Sequence, residues 1–241
     1  MQTYKIDLSY KGTNYFGFQK QKDKITIQKE FESAINIFTK NYEMSYSGRT
    51  DAGVHAKSQI ISLKTDIEID KKMQNSIDKL LGQDISINSL IKTKKDFHAR
   101  FDARKRTYKY FLSDSTKKLP FLNDFTHSIL FEVDVDELNK ISNIFVGTHN
   151  FSSFAKIEAA KNPIRTIYKS QWTKNRDYFE YTIVGNAFLR NMVRNLVGVQ
   201  LAVVNGKVDI KIVKDAIKNE NSKRLNYLAP AKGLVLWNVK Y

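Results

Sequence analysis

Thr166-Ile167-Tyr168-Lys169-Ser170-Gln171-Trp172, Lys174-Asn175-Arg176-Asp177 and Tyr178-Phe179-Glu180-Tyr181-Thr182-Ile183-Val184 form the stretch on which the fold class turns. Its flanks are rich in aromatic and β-branched residues, and four polar turn-formers lie between them. That pattern reads as a β-hairpin, which pairs its strands antiparallel. Helical patterns elsewhere in the chain alternate with strands. Hairpins and helical connections together imply an α+β fold with mixed or antiparallel sheets, not a doubly wound parallel one.

Working upstream, Arg104 to Leu112 reads as a long strand, followed by a polar loop with Pro120 and a helix begun by Asp136. Further back, Thr3 to Tyr10, the region of Gln59 to Leu63 and Ile85 to Leu90 read as strands. Ile27, Phe31, Ala34, Ile35 and Phe38 keep helical spacing behind Thr26, and a second helix starts at Asp70 and ends at Gly82. Downstream, Phe188 to Val203 is the strongest helical pattern, Asp209 to Asn219 is another, and Gly233 to Tyr241 is a closing strand. Each half thus holds strands and two helices, which predicts two α+β domains, 1–104 and 105–241.

The 241 residues are 41% hydrophobic and 27% charged, an ordinary globular balance. Lys+Arg 40 against Asp+Glu 25 leaves +15, which points to a polyanionic partner, nucleic acid or an anionic membrane surface. Cysteine is absent. That excludes thiol nucleophiles, cysteine–zinc and iron–sulfur sites and disulfides, and it fits a reducing cytoplasm. The first ten residues alternate polar and apolar, unlike a signal peptide. Leu196 to Val204 is far shorter than the ~20 residues of a spanning helix. The expectation is a soluble cytoplasmic protein with no membrane partner.

Three segments carry chemistry. Ser47-Gly48-Arg49-Thr50-Asp51-Ala52-Gly53-Val54-His55-Ala56 has little to bury, and its glycines allow tight turns around a charged cluster. In isolation it reads better as a polar turn between helix and strand with a solvated Arg–Asp pair. One carboxylate and one histidine do not meet the ligand count of zinc or magnesium. Phe97 to Tyr110 interleaves three Arg and two Lys with four aromatics. On a strand, Arg104, Arg106, Tyr108 and Tyr110 share a face, a pattern suited to RNA phosphates and bases or to a plain basic edge strand. In Phe188 to Gly198, Arg190 and Arg194 stand one turn apart on a core helix, where a buried guanidinium needs an acid or phosphate partner unless it snorkels to solvent. His55, His98, His127 and His149 lack metal-ligand spacing. Gly12 and Gly17 lack the third glycine of a dinucleotide site, and there is no Walker loop or Gly-x-Ser-x-Gly elbow.

Together these segments resemble the bacterial tRNA pseudouridine synthase A family. Gly48 to Ala56 with Gln59 is similar to its signature nearly residue for residue. Tyr10 to Gln19, Phe97 to Tyr110, His149 to Phe154, Arg165-Thr166-Ile167, Met192 to Asn195 and Ala229 to Leu234 extend the resemblance along the chain in order. Lys11 replaces a usual acid and Phe18 a usual Trp, both away from the catalytic positions. The resemblance implies two related α+β domains whose sheets join into one around a basic cleft. It also implies a homodimer acting on uridines 38, 39 and 40 of the tRNA anticodon arm, with no cofactor and no metal. Asp51 is then the essential carboxylate, attacking C1′ or C6 or taking a proton at C2′, and each role needs it ionised. Arg194 is its counter-charge, Arg49 occupies the space of an everted nucleotide or holds its phosphate, Tyr108 stacks on the uracil, and Leu234 covers the opposite face. Two alternatives remain at this level: the same chemistry on another structured RNA such as rRNA, and a non-catalytic RNA-binding module.

Overall fold

Several helices begin where an oxygen side chain precedes the first turn and accepts an otherwise unpaired amide. Thr26 Oγ1 accepts from Lys29 N at 3.3 Å ahead of α1 (Ile27–Ile35), and Asp70 Oδ1 accepts from Met73 N at 2.7 Å ahead of α2 (Lys71–Leu80). Gly82, just past α2, adopts φ +72°, the left-handed conformation that stops a helix. The structure is a computed structural model that describes residues 1–114, 120–157, 162–219 and 223–241. Most of the expected polar loop before Pro120 lies outside the described residues.

The chain forms two compact units, Met1–Arg104 with Val235–Tyr241, and Lys105–Leu234. In the first, β1 (Gln2–Tyr10) pairs antiparallel with β3 (His55–Thr65) and with β4 (Ile85–Thr93). β2 (Tyr42–Tyr46) pairs antiparallel along the far part of β3. The closing strand, β10 (Leu234–Lys240), pairs parallel with β3 through Val235↔His55 and Leu236↔Ala56. A strand expected with the second domain therefore completes the sheet of the first unit. Ile6, Leu8, Ile61, Leu63, Ile27 and Phe31 form a fully buried core between this sheet and its helices.

The second unit is built on the hairpin. β8 (Ile164–Lys174) and β9 (Phe179–Gly185) pair antiparallel with Trp172 opposite Tyr181, and Asn175 N donates to Tyr178 O at 2.8 Å in the turn. β5 (Lys105–Asp114) adds to β9 antiparallel, β7 (Gly147–Asn150) adds to β8, and β6 (His127–Ile129) pairs parallel with β5. Each unit thus carries a mixed sheet, as the α+β reading requires. Trp172 and Tyr181 stack at 4.9 Å in the core, and Trp172 Nε1 donates to Gln200 Oε1 at 2.8 Å. The helices are α3 (Val135–Ser142), α4 (Met192–Val204) and α5 (Ile210–Lys218). Asp209, where the expected helix begins, caps α5, whereas α3 is capped by Asp134 and Asp136 falls in its first turn.

One expectation is corrected in α4. The helix starts at Met192, not Phe188, because Asn191 takes φ +63°. Asparagine tolerates the left-handed region better than other non-glycine residues. Arg190 therefore lies before the helix and is tied to another segment, its carbonyl accepting from Lys156 N at 3.0 Å. The two arginines do not share a helical face.

Candidate active site

The glycine-rich signature segment links β2 to β3 and is held from both sides. On the β3 side, Ser47 N donates to Ile60 O at 2.9 Å. Ser47 Oγ donates to Gln59 Oε1 at 2.7 Å, and Gln59 Nε2 donates to Gly48 O at 2.5 Å. Gln59 is fully buried inside β3, and its amide is satisfied by holding this turn.

The other side is the turn after β1. Phe18 N donates to Thr50 O at 3.1 Å, and Gly53 N donates to Tyr15 O at 3.2 Å. Gly12 N donates to His55 Nδ1 at 3.1 Å, and the hydroxyls of Tyr10 and Thr50 pair at 2.8 Å. Such an approach excludes side chains. A Cβ on Gly12 would lie 2.0 Å from Val54 O, and one on Gly17 (φ +87°) would lie 2.7 Å from Thr50 O. Gly12 and Gly17, unremarkable by sequence motif, make room for the signature segment. Val54 N donates to Asp51 O at 3.1 Å, closing a turn in which Gly53 takes φ +76°. Thr50, Val54 and His55 are buried, Asp51 is half-buried and Arg49 is exposed. The outcome is a carboxylate on a backbone that cannot relax without breaking contacts to two strands. Phe18 is fully buried, 4.7 Å from the Tyr46 ring, so phenylalanine fills its site at this position.

The second unit holds Tyr108, Arg194 and Leu234. Tyr108 is buried on β5 opposite Ile183, and Phe188 meets its ring edge-on at 5.2 Å. Arg106 and Tyr110 share its face by strand alternation, whereas Arg104 precedes the strand and belongs to the first unit. Tyr110 is core, not an RNA platform: it is fully buried, its hydroxyl donates to Pro230 O at 3.0 Å, and burial pushes its ionisation well above the ordinary tyrosine range. Arg194 is half-buried on α4, and its Nε donates to Ala229 O at 2.7 Å. One turn on, Gly198 leaves space for Tyr227 O, which would lie 1.6 Å from a Cβ there. A Cβ on Gly233 would lie 2.6 Å from the Tyr110 ring. Segment 227–233 is thereby pressed onto α4 and β5 and delivers the buried Leu234.

Asp51 and Arg49 thus share one braced turn of the first unit, and Arg194 and Leu234 are linked through the 227–233 segment of the second. The histidines serve local structure. His55 accepts from Gly12, His98 accepts within a turn, His127 meets Tyr110 edge-on, and His149 Nε2 lies 2.9 Å from Val146 O. Among the described residues there is no group of three or more histidine, aspartate or glutamate side chains placed to hold a metal ion, and no helix long and apolar enough to cross a membrane.

Residues 8–102 and 141–241 match the family described as tRNA pseudouridine synthase. The chain is 36% identical to tRNA pseudouridine synthase A of Dictyoglomus thermophilum over 246 aligned positions that cover all of both chains. It is 35% identical to that of Anoxybacillus flavithermus, covering 100% of this chain and 99% of the other. With that of Staphylococcus aureus (strain MRSA252) the identity is 32% over 96% of this chain and 89% of the relative. Among solved structures, an archaeal box H/ACA sRNP Nop10–Cbf5 complex aligns over 83% of this chain and 43% of that one, with 9% identity and a TM-score of 0.38. With the family match over most of its length and identity of about a third to relatives of matching length, the chain belongs to the tRNA pseudouridine synthase family.

Proposed function

We propose that this protein isomerises uridines 38, 39 and 40 in the anticodon arm of tRNA, with Asp51 as the essential carboxylate. As a pseudouridine synthase it is an isomerase. The N1–C1′ bond of a tRNA uridine breaks and a C5–C1′ bond forms, the C5 hydrogen leaves as a proton, and N1 gains one. In this reading Arg194 supplies the counter-charge that keeps Asp51 ionised, since a carboxylate taken out of water otherwise protonates. Tyr108 stacks on the uracil and Leu234 covers its other face. Arg49 takes the place or the phosphate of the extruded nucleotide, offsetting part of the few kcal/mol that extrusion costs. The protein works as a homodimer in the cytoplasm, and its +15 charge serves RNA binding.

The observation that carries the reading is the bracing of the Asp51 turn by Gly12, Gly17 and Gln59. A solvated polar turn needs no such restraint, whereas a reacting carboxylate must be held in position. The test is tritium release from tRNA labelled at uridine C5. Wild-type protein should release tritium, and sequencing should place the product at positions 38–40. Asp51→Asn should abolish release while tRNA affinity stays nearly unchanged. Modification lost from an rRNA site in a deletion strain, with tRNA intact, would overturn the substrate assignment.

A further inference from the structure

The basic, aromatic stretch from Phe97 to Tyr110 is only partly used by the site above, and its first half forms a separate feature in the first unit. His98 N donates to Asp102 Oδ2 at 3.1 Å, and Asp102 N donates to His98 O at 3.1 Å. His98 Nδ1 accepts from Arg100 N at 3.2 Å and from Phe101 N at 3.3 Å. Ala99, at the centre, is completely buried; its amide donates to Ser62 Oγ at 3.2 Å and its carbonyl accepts from Tyr241 OH at 2.7 Å. Side chains from β3 and from the residue after β10 therefore pin this turn. What it displays is Phe101, which is 76% exposed.

A phenylalanine so placed contributes little to the core, yet the turn that carries it is restrained at every residue. The His98 ring lies 4.3 Å from the Phe101 ring at 33°, which steadies the ring while most of its surface stays open. The Arg100 guanidinium carbon is 5.8 Å from the same ring centroid, and both Arg100 and Arg104 are exposed. A fixed aromatic face beside a guanidinium, in a chain of charge +15, suits a nucleobase and its phosphate better than an apolar protein surface.

We propose that Phe101 is a stacking platform for an unpaired base of the tRNA and that Arg100 takes the adjoining phosphate. This rests on the tRNA reading above and adds an RNA contact outside the reacting centre. A stacked base is worth roughly fivefold to a hundredfold in affinity.

The test measures tRNA dissociation constants, sedimentation and tritium release for F101A, F101L, F101W and R100A. F101A and F101L should both weaken binding by that factor, while F101W retains it and its indole fluorescence is quenched by tRNA. R100A should lower the slope of log affinity against log salt by about one. Unchanged affinity in F101A, or wild-type affinity in F101L, overturns stacking. A change in sedimentation without tRNA assigns the face to a second copy of the chain and also overturns it. The two readings fail separately: wild-type protein that releases no tritium from any tRNA refutes the function, whereas active wild type with an indifferent Phe101 refutes only the platform.

Discussion

Arg194 and Ala229 hold one another through two hydrogen bonds, Arg194 Nε to Ala229 O at 2.7 Å and Ala229 N to Arg194 O at 3.1 Å. The side chain and the backbone of one helical residue thereby grip the same position of a loop. Gly198, one turn away, admits the Tyr227 carbonyl to the helix surface. Gly198→Ala should force that backbone off α4 and destabilise the protein by about 2–4 kcal/mol, because no flexible side chain can yield. Thermal unfolding followed by circular dichroism checks this, and a melting point equal to wild type would count against the packing described.

Arg194→Leu removes both the loop bond and the proposed counter-charge. Loss of one hydrogen bond to a charged group costs about 1.5–3 kcal/mol, which is roughly tenfold to a hundredfold in rate if felt in the transition state. Removal of the charge should add to that and leave little turnover. Arg194→Lys restores the charge without the planar guanidinium and should recover part of it. Single-turnover tritium release reads the series, and a fully active leucine variant is incompatible with the ion pair.

Gly17→Ala places a methyl 2.7 Å from Thr50 O in a residue with φ +87°. Clash and left-handed strain act on the Asp51 turn and not on exposed basic residues. Turnover should fall about tenfold to a hundredfold, matching the roughly 1–3 kcal/mol of such strain, with tRNA affinity nearly unchanged. Parallel loss of affinity and rate in filter-binding and release assays would show that the turn serves binding instead.

His127 gives a pH dependence of stability. Burial, followed by the charge of Lys232, lowers its pKa below the ordinary value of 6.5. Its Nδ1 is buried without a hydrogen-bond partner among the described residues. With the folded pKa below the unfolded one, the unfolded chain takes up the proton first as pH falls. The stability is therefore fully present above about pH 6.5 and is lost as pH falls through the folded value. Urea unfolding from pH 7.5 to 5 should show this decline, and His127→Phe should flatten it.

Helix starts that depend on neighbouring residues were legible: Thr26, Asp70 and Asp209 each cap the helix their side chains can reach. The hairpin was legible for the same reason, its turn and flanks being contiguous. Asp134 takes a cap expected two residues later because either acid satisfies the same local pattern. Asn191 shortens α4 because apolar spacing records side chains and not the sign of φ. β2, β6 and β7 escaped sequence reading, since they are short and defined by partners elsewhere in the chain. The same limit applies at the site. The signature segment is visible in sequence, but the need for Gly12 and Gly17 comes from the carbonyls of Val54 and Thr50, far along the chain.

β10 has a consequence for biogenesis. The edge of β3 at His55 and Ala56 receives its parallel partner only from Val235 and Leu236. Lys105–Leu234 must be synthesised in between. Pairings so distant in sequence form late and slowly. On the ribosome the nascent Asp51 turn would thus sit beside an unfinished strand edge until the last strand emerged, so tRNA modification should begin only after translation has passed residue 236.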